Sequence, residues 1–135
     1  GPWRETSIIA APADGPMSWT DRGDEAEAAA VILAAPRSFD GPVTLTAAAA
    51  VTFGDIAGIV SELTGRDIQR VVMDDDAWVA DQVAHGAPEM MAGFMLSTFQ
   101  AAREGRFAGT DPLLGDLLGR PPRTVRDLLA ERVAA

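Results

Sequence analysis

Cysteine, lysine and tyrosine are all missing from these 135 residues, and histidine occurs once, as His85. Without cysteine there are no disulfides, no thiol nucleophile and no thiolate metal site, and the chain fits a reducing, cytoplasmic setting. Without lysine no Schiff base can form, and a Tyr-Lys proton relay is excluded as well. A single histidine rules out a multi-His metal centre and a two-His relay. No apolar run approaches the ~18 residues that would span a bilayer. A basic segment followed by an apolar one, the mark of a secretory leader, is also absent. So are the G-x-G-x-x-G and Walker A loops that cradle phosphates. None of Ser7, Ser18, Ser38, Ser61 and Ser97 sits in a G-x-S-x-G elbow, so a Ser-His-Asp triad has no support. Basic charge is scarce: 11 arginines face 20 acidic residues, for a net charge of −9. The arginines are scattered, which excludes a nucleic-acid backbone as partner.

What remains is a chain of 47% apolar residues whose mean hydropathy, +0.07, comes largely from alanine. That length and composition read as one domain, residues 1–135, with a core of its own. Segments 7-SIIAAP-12, 17-MSWT-20, 42-PVTLT-46 and 68-IQRVVM-73 read as short strands. Between and after them come helical patterns. In 24-DEAEAAAVILAA-35, Ala26, Ala29, Ala30 and Leu33 form an i, i+3, i+4, i+7 stripe, with Asp24 and Glu25 at the positive end and Pro36 as terminator. Thr52 and Asp55 have capping-box spacing ahead of the stripe Ile56, Ile59, Val60 and Leu63, and Gly65 stands at the left-handed C-cap. Trp78, Val79, Gln82 and Val83 share a face of the next helix, which ends at Gly86. Segment 89–104 is apolar nearly all round, so it is buried on several sides or faces a partner. A short helix follows at 112–118, and Thr124 with Asp127 caps the last one. Strand-helix alternation in the middle argues for parallel pairing, and strands this few and short look like the end of a larger sheet.

The acidic run Asp74-Asp75-Asp76 lies where a strand gives way to a helix, the usual place for an N-cap, and lacks the spacing of a calcium loop. His85 sits at a helix C-terminus, where an imidazolium meets the dipole favourably, with a pocket wall as the alternative. Trp78, Met90, Met91, Phe94, Met95 and Phe99 are core, the lining of an adaptable pocket, or an interface left open.

Three stretches in order carry a family resemblance. In 18-SWTDRGDEAEAAAVIL-33 a strand end leads to a D-x-A helix start at Asp24 and Ala26. Next comes the strand-helix-strand unit 43-VTLTAAAAVTFGDIAGIVSELTGRDIQRV-71. Last is the closing segment 105-GRFAGTDPLLGDLLGRPPRTVRDLL-129. Together they resemble the C-terminal half of the NmrA-like atypical short-chain dehydrogenases, a group with NAD(P)H-dependent quinone oxidoreductases and redox sensors. The resemblance implies an α/β substrate lobe with a few short, partly parallel strands and about six helices. The family's Rossmann half, with its glycine loop and cofactor site, has no counterpart here. With the Gly-Pro-Trp start, that leads to the expectation that the chain is a piece of a longer protein. No catalytic or dinucleotide-contacting position carries over. NAD(P)H is the parent family's cofactor, and this chain is expected to bind none alone. Its implied pocket wall is Trp19, Trp78, His85, Met91, Phe94 and Met95, contacting a small apolar acceptor such as a quinone. The other expected partners are a second copy of the chain or the missing lobe. The alternative reading is a stand-alone interaction domain or sensor lobe that associates through an apolar face.

Overall fold

The computed structural model describes residues 3–35, 39 and 41–134. Pro36 and Ser38, singled out above, lie outside them. In chain order the elements are α1 (Trp3–Thr6), β1 (Ile8–Ala11), α2 (Arg22–Ala34), α3 (Phe53–Thr64), β2 (Gln69–Val72), α4 (Asp75–Ala84), α5 (Glu89–Arg103), α6 (Leu113–Leu118) and α7 (Val125–Ala134). They fall into two compact units, residues 1–17 with 51–108 and residues 18–50 with 109–135.

In the first unit β1 and β2 pair in parallel, Ile8 opposite Gln69 and Ala11 opposite Val72. The connection between them contains α3, as parallel pairing requires a crossover. Helix α3 packs on both strands. Its start is a complete capping box: Thr52 accepts from the Asp55 N–H, and the Asp55 carboxylate accepts from the Thr52 N–H at 2.8 Å. Gly65 closes it in the left-handed conformation (φ 67°). Alternate strand residues Ile9, Ala11, Ile68 and Arg70 are covered, whereas Ile8, Ala10, Gln69 and Val71 are exposed. A parallel sheet is ordinarily covered on both faces, so this one has an open side. Helices α4 and α5 pack together, with Trp78 (5% exposed) set edge-on to Phe99 at 5.3 Å between centroids. Thr52→Ala is expected to cost about 1 kcal/mol, a fall in Tm of about 3–5 °C, readable by thermal melting.

The second unit packs α2 against α6. Asp21 caps α2 by accepting from the N–H groups of Gly23 and Asp24. Thr124 and Asp127 form the reciprocal cap of α7.

Two expected strands are absent. Segment 17–20 contributes only one antiparallel bridge, Met17 to Val51. Segment 42–46 is held by side chains instead of a ladder: the Thr46 hydroxyl accepts from the Asp111 N–H at 2.7 Å, and the Ala47 N–H donates to Thr20 Oγ1 at 3.1 Å. The expected stripe of α2 is also rotated. Ala26, Ala29, Ala30 and Leu33 are exposed, Leu33 at 87%, and the buried line runs through Asp24 and Ala28. In an alanine-rich helix the apolar periodicity is nearly flat, so a strong polar contact at Asp24 decides which side turns in.

Candidate functional site

Both strands of the first unit end at the same place. Beyond Ala11 and Val72, the segments 12-PADGP-16 and 72-VMDD-75 with Arg103 of α5 line an open, solvent-facing cavity of about 650 Å³. Open α/β sheets bind ligands at the carboxyl ends of their parallel strands.

Arg70 shapes this rim. Its side chain is 10% exposed and stacks over the Phe53 ring at 5.6 Å. The guanidinium donates to the carbonyls of Ile9 (3.3 Å), Ala11 (3.1 Å) and Ala13 (2.6 Å), and to Asp14 Oδ1 (3.3 Å). Asp14 Oδ1 also accepts from the Gly54 N–H at 3.0 Å, one of the orphan donors at the start of α3. The opposite wall is the Arg103–Asp75 pair. Arg103 Nη2 donates to Asp75 Oδ1 and to the Pro12 carbonyl, each at 2.7 Å, and Gln100 donates to Asp75 Oδ2 at 3.0 Å. The Arg103 hydrogen bond first, and Gln100 second, hold the Asp75 carboxyl below its ordinary range. Asp74 caps α4, as the acidic run led one to expect, by accepting from the Asp76 and Ala77 N–H groups. No group of three or more His, Asp or Glu side chains among the described residues could hold a metal ion. The cavity therefore offers shape, backbone carbonyls and paired charges.

The six residues singled out in the sequence lie elsewhere. Trp78 is enclosed between α4 and α5. His85 terminates α4, with Nδ1 2.8 Å from the Asp81 carbonyl. That places it roughly 15 Å along the helix from Asp75. Met91, Phe94 and Met95 stand together on the exposed side of α5. Trp19, also exposed, belongs to the second unit. That unit holds a cavity of about 360 Å³ between Ala48, Thr110, Pro112, Gly115 and the Pro121-Pro122 pair. The residues of the larger cavity come from three distant stretches, and the usable signal was positional: a turn of Pro, Asp and Gly after one strand and an acidic turn after the other.

No family model matches the chain. It is 30% identical over 134 residues to an NmrA-like family domain-containing oxidoreductase of Aspergillus flavus, covering 94% of this chain and 44% of that one. It is 25% identical over 122 residues to an NAD(P)H azoreductase of Xenophilus azovorans, covering 90% and 43%. The chain thus spans less than half the length of these curated relatives. Among solved structures, the triphenylmethane reductase of Citrobacter sp. complexed with NADP(H) superposes with a TM-score of 0.85 at 22% identity, over 98% of this chain and 47% of that one. The NADPH-dependent quinone oxidoreductase of Escherichia coli complexed with NADPH gives 0.82 at 23% identity, over 96% and 45%.

Proposed function

From a chain whose sequence relatives are NmrA-like and NAD(P)H-dependent oxidoreductases, and whose fold is theirs, we propose a substrate-side lobe of such an enzyme. The observation that carries this reading is the cavity at the carboxyl ends of β1 and β2. There Pro12, Met73 and the flanking main chain would pack against a small, flat organic acceptor. Arg103 and Asp75 would fix its orientation, and the quinone reductase among the structural neighbours points to a quinone. Hydride would come from a nicotinamide held by residues outside this chain. The titratable groups of the cavity wall are already engaged: Asp75 and Arg103 neutralise each other, Asp14 is held by Arg70, and Asp74 is spent on the cap of α4, while His85 is remote.

The chain alone is therefore expected to bind a naphthoquinone and to oxidise no NADPH. Calorimetric titration of a soluble naphthoquinone should give saturable binding that weakens about tenfold in Arg103→Ala, whose loss frees Asp75 and the Pro12 carbonyl. Binding unaffected by that substitution would remove the cavity from consideration. A turnover of NADPH by the purified chain would overturn the division of labour.

A further inference from the structure

Helix α5 has a second face that the cavity does not use. Met90, Phe94, Ser97 and Ala101 follow one another at i, i+4, i+7 and i+11, the spacing of a helix-packing seam. Met90 is 86% exposed and Phe94 68%, with Met91 and Met95 exposed beside them. An apolar cluster of this kind on a small unit marks a contact surface. We propose that this face is the interface of a homodimer in which two copies of α5 pack antiparallel.

Three observations choose a second copy as the occupant. The seam is graded in size, bulky at its start (Met90, Phe94) and small at its end (Ser97, Ala101). Running two copies in opposite directions sets each bulky residue against a small one, Met90 against Ala101 and Phe94 against Ser97. A two-fold interface must be self-complementary in this way. The polar groups of the seam are already satisfied. Ser97 Oγ donates to the Phe94 carbonyl at 2.6 Å and Thr98 Oγ1 to the same carbonyl at 3.4 Å, so both hydroxyls can leave water with their hydrogen bonds made. The dipoles also complement each other: antiparallel copies of α5 set them in opposition. Gly93, beside the seam, has open space where a Cβ would stand, which leaves room for close approach.

Sedimentation equilibrium of the whole chain should give a dimer. Phe94→Asp should raise the dissociation constant about thirtyfold or more, as for a central interface residue, with helix content unchanged by circular dichroism. Ser97→Phe should do the same by setting two rings against each other, and Phe94→Ser with Ser97→Phe should restore the dimer. Because the chain has no cysteine, Met90→Cys with Ala101→Cys gives a direct test of direction. The two positions are roughly 16 Å apart along one helix, too far to bridge internally. Oxidation should therefore yield a covalent dimer, and Met90→Cys alone should yield none. A monomer at all concentrations, a dimer indifferent to Phe94→Asp, or ready cross-linking of Met90→Cys alone would each overturn the proposal.

Discussion

Gly15→Ala is expected to unfold the half of the chain that carries the cavity. Gly15 is buried, and a Cβ there would stand 1.9 Å from the Ala102 carbonyl oxygen, 2.1 Å from its carbon and 2.5 Å from the Arg103 nitrogen. All three are main-chain atoms of α5, so no side chain can swing aside. Relief requires the 13–16 turn to lift away from α5, which also breaks the bond from Arg103 to the Pro12 carbonyl. We expect a loss of about 4 kcal/mol or more, the size reserved for steric failure of a core contact. Total stabilities run to only about 5–15 kcal/mol, so the variant should lose cooperative melting in circular dichroism. Gly58→Ala is the internal contrast. It lies within α3 with nothing inside 4 Å of the added carbon, so replacing glycine in the helix interior should stabilise by about 0.5–1 kcal/mol. A parent-like melting curve for Gly15→Ala would show that the turn does not rest on α5.

The second large effect belongs to Asp24, whose side chain is 1% exposed in the other unit. Its carboxylate accepts from the Arg123 N–H at 2.6 Å and from Arg120 Nη2 at 2.8 Å, and Arg120 reaches Glu27 at 2.7 Å as well. These bonds fasten the 119–124 turn to α2. Burial pushes the Asp24 carboxyl up, but the Arg123 N–H and then the Arg120 hydrogen bond and charge outweigh it, and the group is held below 3.8. Asp24→Ala is expected to cost about 3 kcal/mol, at the lower end for a broken buried pair because Arg120 can rehydrate. The folded value is depressed, so the stabilisation is complete above the unfolded value near 4 and is lost as pH falls through the folded one. The difference between parent and Asp24→Ala in urea unfolding should be widest at about pH 6 and shrink on acidification below about pH 4. A difference that is constant with pH would mean that Asp24 acts by packing and not by charge.

The helix ends were readable in advance because they depend on residues close in sequence. Thr52 with Asp55, Asp74, Gly65, and Thr124 with Asp127 each do what their spacing implies. The kinship with NmrA-like reductases, carried by the order of three stretches, is borne out by relatives and by fold. Strands were less legible. Segment 42–46 alternates correctly, yet Thr46 bonds to Asp111 and Ala47, just after it, to Thr20, both far away in the chain. The rotation of α2 turned on the partners of Asp24, 96 and 99 positions distant, which no local period contains. The cavity was hidden for the same reason, being assembled from the ends of two strands and one helix.

Arg70 gives the cavity rim a property that a list of its bonds does not convey. The carbonyls of Ile9, Ala11 and Ala13, alternate residues of β1 and its extension, and the carboxylate that reaches the start of α3, all converge on one guanidinium. The rim is thus a single mechanical element. Its parts are held through a common joint, so one cannot slacken while the others stay in register. A lysine would keep the charge but offers no planar fork to span the carbonyls, and the joint would come apart as a whole. In a cavity walled this way, shape changes by steps and not by degrees. Substitutions that reshape the cavity without loosening the frame are then confined to residues that do not bear on the joint, such as Met73 and Val72.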